Sequence, residues 1–303
     1  MTKRIVYACD DNYAALTAIS ASSLLKKNPG SEIILVGCRL KTDSIKLIEA
    51  RVKKFNGIFR YVDISPKIDE LQRIGACPYV SYAVYSRIFI AELLPYDHGQ
   101  VLYLDCDTLI TDDISAIFTT EMNGKPLALS PDAVHPAYKR VISLPDDKPY
   151  YNTGVALIDL DAWRERDCAK RLMSELESPH GRNPLGDQDI IVRVLNDEIT
   201  ELDRRWNFLS QYILFRRKEK PAIYHFSGNT LGRPWYTSSK HPLRPLYRQI
   251  AAESGLAEIA EQTKPLPFEY KLQYWLFKSL PNCIFKQICN LMYRTHIRLT
   301  YGI

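Results

Sequence analysis

An apolar run, Val101-Leu102-Tyr103-Leu104, ends in two carboxylates one residue apart, Asp105 and Asp107, with Thr108 behind them. A strand that stops there and bends can present both acids to one hard divalent cation. Such a cation suits a pyrophosphate-bearing donor, because the departing diphosphate gains negative charge as the bond to it breaks and a metal stabilises that charge. Acids that only cap a following helix would leave the same tripeptide. A second segment, Ala222-Ile223-Tyr224-His225-Phe226-Ser227-Gly228, reads as a strand leading to an imidazole and then a glycine. A neutral imidazole is a good third ligand for Mn2+, and a nearby glycine lets backbone approach a phosphate. Alone, a histidine in this setting is more often a hydrogen-bonded core residue than a ligand.

These residues need elements to hold them, and the first half of the chain supplies an alternation of short β-rich runs and helical patterns. Strands are expected at Arg4 to Ala8, Glu32 to Gly37, Ile58 to Ile64, Gln100 to Leu104, Leu127 to Ser130 and Gly154 to Leu160. Helices are expected at Asn12 to Lys27, Thr42 to Phe55, Ser81 to Leu94 and Asp161 to about Glu177, most of them stopped by Asn, Gly or Pro. In an open α/β sheet, ligands sit outside the carboxyl ends of the strands. Cys9-Asp10-Asp11-Asn12 and Asp105-Cys106-Asp107 both fall there. Neither standard Gly-rich phosphate loop is present, so a dinucleotide Rossmann or P-loop assignment lacks its main support.

The 303 residues are 46% hydrophobic and 25% charged, which excludes whole-chain disorder. No long uninterrupted apolar run appears, and we read neither signal peptide nor membrane span. Seven cysteines without a C-x-x-C pair, several inside apolar runs, favour a reducing cytosol over a disulfide scaffold. Of the net charge of +5, residues 268–303 carry +4, with Lys271, Lys278, Lys286, Arg294 and Arg298 opposed by Glu269 alone. A near-neutral body with a basic tail argues against nucleic acid as partner and for an anionic membrane surface or acceptor. The division expected is a catalytic domain over residues 1–265 and a helical tail over 266–303, two helices separated by Pro281. In the second helix Lys286, Asn290, Arg294 and Arg298 recur every four residues, while Ile284, Ile288, Leu291 and Tyr293 lie away from that stripe. With Tyr270, Tyr274, Trp275 and Phe277 interleaved, this tail is expected to lie peripherally on the inner face of the cytoplasmic membrane.

Six segments, in this order, carry a resemblance. They are Ala8-Cys9-Asp10-Asp11-Asn12-Tyr13, Tyr85-Ser86-Arg87, Leu102-Tyr103-Leu104-Asp105-Cys106-Asp107, Tyr151-Asn152-Thr153-Gly154-Val155, Asp187-Gln188-Asp189, and His225-Phe226-Ser227-Gly228 with Pro234-Trp235. The chain resembles glycosyltransferase family 8, particularly the bacterial galactosyl- and glucosyltransferases of lipopolysaccharide and lipo-oligosaccharide assembly, over roughly residues 4 to 236.

That resemblance implies an α/β GT-A fold, a Rossmann-like mixed sheet flanked by helices, and retaining transfer of galactose or glucose from a UDP-sugar to an oligosaccharide or lipid-linked glycan. It implies Asp105, Asp107 and His225 as ligands of Mn2+, with Mg2+ as the alternative. Ala8, Asp10 and Asn12 would hold uridine and ribose, and Arg87 would reach the donor. Asn152, Asp187 and Gln188 match positions around the transferred sugar, and Asp132 matches another sugar contact. Gln188 would lie near the anomeric carbon; an amide is a poor nucleophile, which favours departure and attack on one face over a covalent intermediate. Apart from the resemblance, one of Asp10 and Asp11 is expected to cap the following helix, and Asp187 and Asp189 read as helix-start acids. The family commonly places a lysine six residues after the histidine. Here Leu231 holds that spacing, and Arg233, just before Pro234-Trp235, would bring a planar fork to the diphosphate, with Gly228 as the close-approach glycine.

Two rivals remain at this level. Asp105-Cys106-Asp107-Thr108 after an apolar run also fits a haloacid-dehalogenase-like phosphatase, with Asp105 as nucleophile, although about a hundred residues of α/β pattern precede it. A non-catalytic carbohydrate-binding or membrane-associated scaffold is the other.

Overall fold

The computed structural model describes residues 2–73, 81–178, 183–215, 219–228 and 231–302; Cys77 lies outside them. The first half runs β1 (Arg4–Cys9), α1 (Ala14–Lys27), β2 (Glu32–Gly37), α2 (Thr42–Lys54), β3 (Ile58–Asp63), α3 (Ser65–Arg73), α4 (Ile90–Leu93), β4 (Gln100–Leu104) and β5 (Thr108–Ile110). It continues with β6 (Leu127–Pro131), α5 (Tyr138–Val141), β7 (Tyr151–Asp159), α6 (Leu160–Glu165), α7 (Cys168–Glu177), α8 (Asp187–Leu195), β8 (Ile199–Glu201), β9 (Phe208–Leu209) and α9 (Ser210–Leu214). Last come β10 (Ile223–His225), α10 (Arg244–Glu253), α11 (Phe268–Ser279) and α12 (Asn282–Tyr301).

Seven strands form one mixed sheet in the order β3-β2-β1-β4-β7-β6-β8, and β5-β10-β9 form a smaller one. The strands β3, β2, β1 and β4 are mutually parallel, whereas β7 runs antiparallel to both β4 and β6. Alternation along each strand fills two cores. Ile5, Tyr7, Leu102, Leu104 and Leu157 meet α1, α2 and α10 on one face. Val6, Ala8, Val101, Tyr103, Ala156 and Ile158 meet α4, α6, α7 and α8 on the other. The expected α/β sheet flanked by helices is therefore what the chain forms.

Three departures have local causes. Ser81 to Leu94 is not one helix but a 3-10 turn, Tyr82–Arg87, followed by α4. The Arg87 Nε–H donates to Val84 O (3.1 Å) while Ile88 N–H bonds Tyr85 O in the tighter i to i−3 pattern. The helix expected from Asp161 splits into α6 and α7 at Asp167, whose φ of 50° lies in the left-handed region. The strand expected from Gly154 starts at Tyr151, because the register between β6 and β7 jumps from Leu129↔Ala156 to Ser130↔Asn152. Such an irregularity re-aims side chains at a sheet edge.

The tail helix α12 packs on the body by burying Phe285 and Ile297. Phe285 joins Leu214 and Leu231, and the Tyr293 ring stacks on His135 at 5.7 Å. The tail therefore differs from the expected basic face set against an apolar one. Tyr293 faces the body, while Leu291 (67% exposed) and Leu299 (81%) point to solvent with Arg294 and Arg298.

Candidate functional site

Local backbone geometry brings the two acids together. Past the end of β4, Asp105 N–H donates to Gly154 O on β7 (2.8 Å). The Cys106 thiol turns inward and donates to Ala8 O (3.1 Å), so the carboxylates on either side of it face the other way. Thr108 Oγ1 closes the bend by donating to Asp105 O (2.9 Å). Strand β5 then pairs antiparallel with β10, His225 opposite Thr108, and Phe226 N–H donates to Asp107 O (2.9 Å). This short ladder is what carries His225 to the acids.

The His225 Nε2 lies 3.2 Å from Asp107 Oδ1 and 3.7 Å from Asp105 Oδ2. One ligand atom from each residue falls within 4.8 Å of the other two. An octahedral cation with ligands at about 2.1 Å sets neighbouring donors roughly 3 Å apart, so two carboxylates and an imidazole at these spacings fit one hard or borderline divalent ion. Only glycine fits beneath: a Cβ at Gly154 would stand 2.1 Å from His225 Cε1 and 2.6 Å from Asp105 Oδ2. Burial opposes charge on Asp107, yet His225 and Arg233 outweigh it and hold the carboxyl well below its usual range. Burial likewise opposes charge on His225, and Asp107 and Asp105 still raise its pKa above that of a free imidazole.

Arg233 donates to Asp107 Oδ2 and Phe226 O, and its guanidinium lies 5.3 Å from the Trp235 ring. The cation that sequence reasoning placed at the family's lysine site thus stands against the acid pair. Leu231, at the family's lysine spacing, is instead buried. Arg87 is 4% exposed and engaged by protein groups: Nη1 donates to Thr153 O (2.8 Å), Nη2 to Asp105 Oδ1 (2.8 Å), and the guanidinium sits 4.4 Å from the Tyr103 ring. Asp187, 3% exposed, lies with Oδ2 3.0 Å from Arg87 Nε, an ion contact without an aligned hydrogen bond. Burial pushes its pKa up to about 7 against the pull of Arg87.

Beside the acids lies a cavity of about 220 Å3 lined by Ala8, Asp10, Tyr13, Ser81, Asp105 and Asp107 among others. Two other cavities, of about 360 and 260 Å3, lie against α10, the smaller between α10, α1 and β5, and neither contains any of these groups. Asp10 accepts from Asn12 N–H (3.0 Å) and from Ser81 Oγ (2.8 Å). Neither acid of that pair caps α1 as expected. Asp10 folds its own turn, and Asp11 accepts from Lys41 N–H (3.0 Å) and Ser44 Oγ (2.7 Å) at the start of α2. Tyr13 and Ser81 were missed as cavity residues; the exposed tyrosine closing the Asp10-Asp11-Asn12 motif was the available signal.

On the other side of Gly154 stand Asp132, Asn152 and Gln188. Asn152 Nδ2 donates to Asp132 Oδ2 (2.8 Å) and Gln188 Oε1 (3.2 Å), and Gln188 Nε2 donates to Asp132 Oδ2 (3.2 Å) and Tyr150 OH (3.0 Å). Burial raises the Asp132 pKa. Asp189 lies behind, accepting from Tyr150 OH (2.6 Å) and Tyr138 OH (3.0 Å). Gly228 sits exposed beyond β10 with φ +66°, not against the acids. Tyr150 and the fully buried Asn207 were also missed. Neither residue type nor spacing marks them in the sequence.

Residues 4–238 match the profile described as glycosyl transferase family 8. The chain belongs to this family. The family 8 chain is 27% identical over 264 residues to general stress protein A of Bacillus subtilis, covering 80% of this chain and 91% of that protein. Against the lipopolysaccharide 1,2-glucosyltransferase of Escherichia coli it is 23% identical over 286 residues, with 89% and 83% covered. It spans 66% of the glycosyltransferase GlyF of Streptococcus pneumoniae at 26% identity, covering 88% of its own length. The structure of the galactosyltransferase LgtC with donor and acceptor sugar analogs superposes with a TM-score of 0.71 at 22% identity, covering 88% of this chain and 99% of that one. This likeness shows the GT-A fold. The phosphatase alternative finds no support, since one glycosyltransferase match runs from β1 past Trp235.

Proposed function

We propose that this glycosyltransferase moves galactose or glucose, with retention, from a UDP-sugar to an oligosaccharide or lipid-linked glycan acceptor in lipopolysaccharide or other surface-glycan synthesis. The observation that carries the reading is the Asp105, Asp107 and His225 cluster at the rim of the cavity lined by Ala8, Asp10 and Tyr13. Asp105, Asp107 and His225 would hold Mn2+, or Mg2+, and the bound ion would neutralise the diphosphate as it departs. Asp10 and Asn12 are suited to uracil N–H and ribose hydroxyls, and the exposed Tyr13 ring to the base face. Arg233 supplies a second positive group to the diphosphate oxygens when the cation shares Asp107. Arg87, with Asp187 behind it, fixes the orientation of Asp105.

Gln188, Asn152 and Asp132 form the floor for the sugar. Both lone-pair directions of Asp132 Oδ2 are used by the two amides, and Gln188 has no nucleophilic oxygen of carboxylate strength. Departure and attack on one face, through an oxocarbenium-like state that these dipoles stabilise, accounts for retention with Gln188 as the group beside the anomeric carbon and needs no carboxylate nucleophile.

Residues 266–303 are proposed as a peripheral membrane attachment. Among the described residues no helix is long and apolar enough to cross a bilayer, while exposed Phe268, Trp275, Leu291 and Leu299 accompany Lys271, Lys278, Arg294 and Arg298. Apolar side chains that enter an interface beside cations that meet anionic headgroups are the features of in-plane binding. The corresponding location is the inner face of the cytoplasmic membrane.

The test is UDP release from UDP-galactose, UDP-glucose and UDP-N-acetylglucosamine by purified protein with Mn2+. Preferential turnover of one of the first two is expected. No release from either, beside hydrolysis of a phosphate monoester, would contradict the reading.

A further inference from the structure

Asn207 follows the 3-10 turn Arg204–Trp206, directly before β9, and is 0% exposed. A buried primary amide must have its two ends assigned, and here its neighbours assign them. Gly154 N–H, a donor only, lies 3.0 Å from Asn152 Oδ1, which is therefore the acceptor end of that amide. Asn207 Nδ2 donates to the same oxygen at 2.8 Å, which leaves Asn207 Oδ1 as an acceptor 3.0 Å from His225 Nδ1. A carbonyl oxygen there requires the ring proton on Nδ1. The lone pair of the neutral imidazole is then on Nε2, the atom that faces Asp107 and Asp105.

The next backbone donor along β7 does the same for the sugar-side amide. Thr153 N–H lies 3.2 Å from Gln188 Oε1, so Gln188 Nε2 is the donor end, and Asn152 Nδ2 also points at that Oε1. Two successive N–H groups of one strand thus set the direction of a single hydrogen-bond chain from His225 through Asn207 and Asn152 to Gln188. Groups that orient a metal-bound imidazole raise metal affinity, and their loss typically weakens it about 10- to 100-fold.

We propose that Asn207 is a positioning residue: it holds His225 in the Nδ1–H form with its lone pair on the cation site, and it ties that site to the amides that face the sugar. This rests on the reading of Asp105, Asp107 and His225 as a cation site. Its consequence is that cation binding and sugar orientation are coupled through one buried side chain.

The test compares Asn207→Ala and Asn207→Asp with the unaltered enzyme by calorimetric titration of Mn2+ in the presence of UDP and by kcat and KM for donor turnover. Asn207→Ala is expected to bind Mn2+ about 10- to 100-fold more weakly. Asn207→Asp keeps an acceptor for the Nδ1–H but cannot donate to Asn152. Its Mn2+ affinity is expected to stay within about three-fold of the unaltered enzyme, while kcat drops roughly ten-fold at little-changed KM. A purely structural role would lower the melting temperature of both variants without that split. Unaltered Mn2+ binding in Asn207→Ala, or equal loss in both variants, overturns the inference. Absence of Mn2+-dependent UDP binding in the unaltered enzyme overturns the cation-site reading itself and this inference with it.

Discussion

Arg233, His225 and the cation position converge on Asp107, which is the nearer of the two acids to the imidazole. Asp107→Asn keeps the shape and removes the charge; turnover with Mn2+ is expected to fall at least ~100-fold, with both cations left poorly paired. Gly154→Ala tests the same point from below. Its methyl group would stand where His225 Cε1 and Asp105 Oδ2 now are, so Mn2+ binding is expected to be lost in a protein that retains its circular dichroism spectrum. Retention of Mn2+ affinity in this variant would mean that the three ligands can part without cost. Residue type and spacing marked Asp105 and Asp107, because acids at a strand end carry a chemical signature in themselves, whereas His225 joined them only through the family resemblance. Asn207 and Tyr150 were not marked, since an amide or a phenol acquires its role only from what the fold places opposite it. The capping role expected for Asp10 or Asp11 failed for the same reason: Lys41 and Ser44, thirty residues on, compete for Asp11.

At the scale of elements, strands were read more accurately than helices. Short apolar runs bounded by polar or turn residues end where the strand ends, which is why β1, β2, β3 and β4 fall within a residue or so of expectation. Helix continuity depends on side chains that return to the backbone, as Arg87 does to Val84, and on single left-handed residues such as Asp167, neither of which periodicity records. The short strands β5, β9 and β10 matter most for the site, since they alone carry His225 to the acids, and β5 and β9 were too short to mark. The tail helix α12 was found, but its faces were assigned by charge when packing decides them. Ile297→Ala is expected to cost about 2–5 kcal/mol in urea denaturation, the usual range for a buried aliphatic truncated in place. Leu291→Ser with Leu299→Ser, both exposed, should leave that stability unchanged and reduce sedimentation with anionic vesicles; equal sedimentation would refute the membrane reading of this tail.

For the whole molecule, stability should depend on pH through His241. Burial lowers its pKa from 6.5 to about 4, and its Nδ1 accepts from Leu243 N–H while the ring packs edge-on to Phe226. The unfolded chain therefore takes up a proton that the folded chain refuses. This contribution, fully present above pH 6.5, is lost as pH falls toward 4, by on the order of 3 kcal/mol, while Asp187, whose carboxyl burial raises to about 7, contributes in the opposite sense over the same range. Relative to His241→Gln, the unaltered protein should lose melting temperature as pH falls from 6.5 toward 4; parallel profiles for the two proteins would contradict this. Beyond Phe226, on which His241 packs, strand ends from both sheets bring three ligands together around a site suited to one cation that would grip a nucleotide diphosphate. Calorimetric titration of UDP into the protein, with Mn2+ and again with a chelator, tests it most directly. We expect binding with Mn2+ and at least ~10-fold weaker binding without it; the same UDP affinity under both conditions would contradict the account.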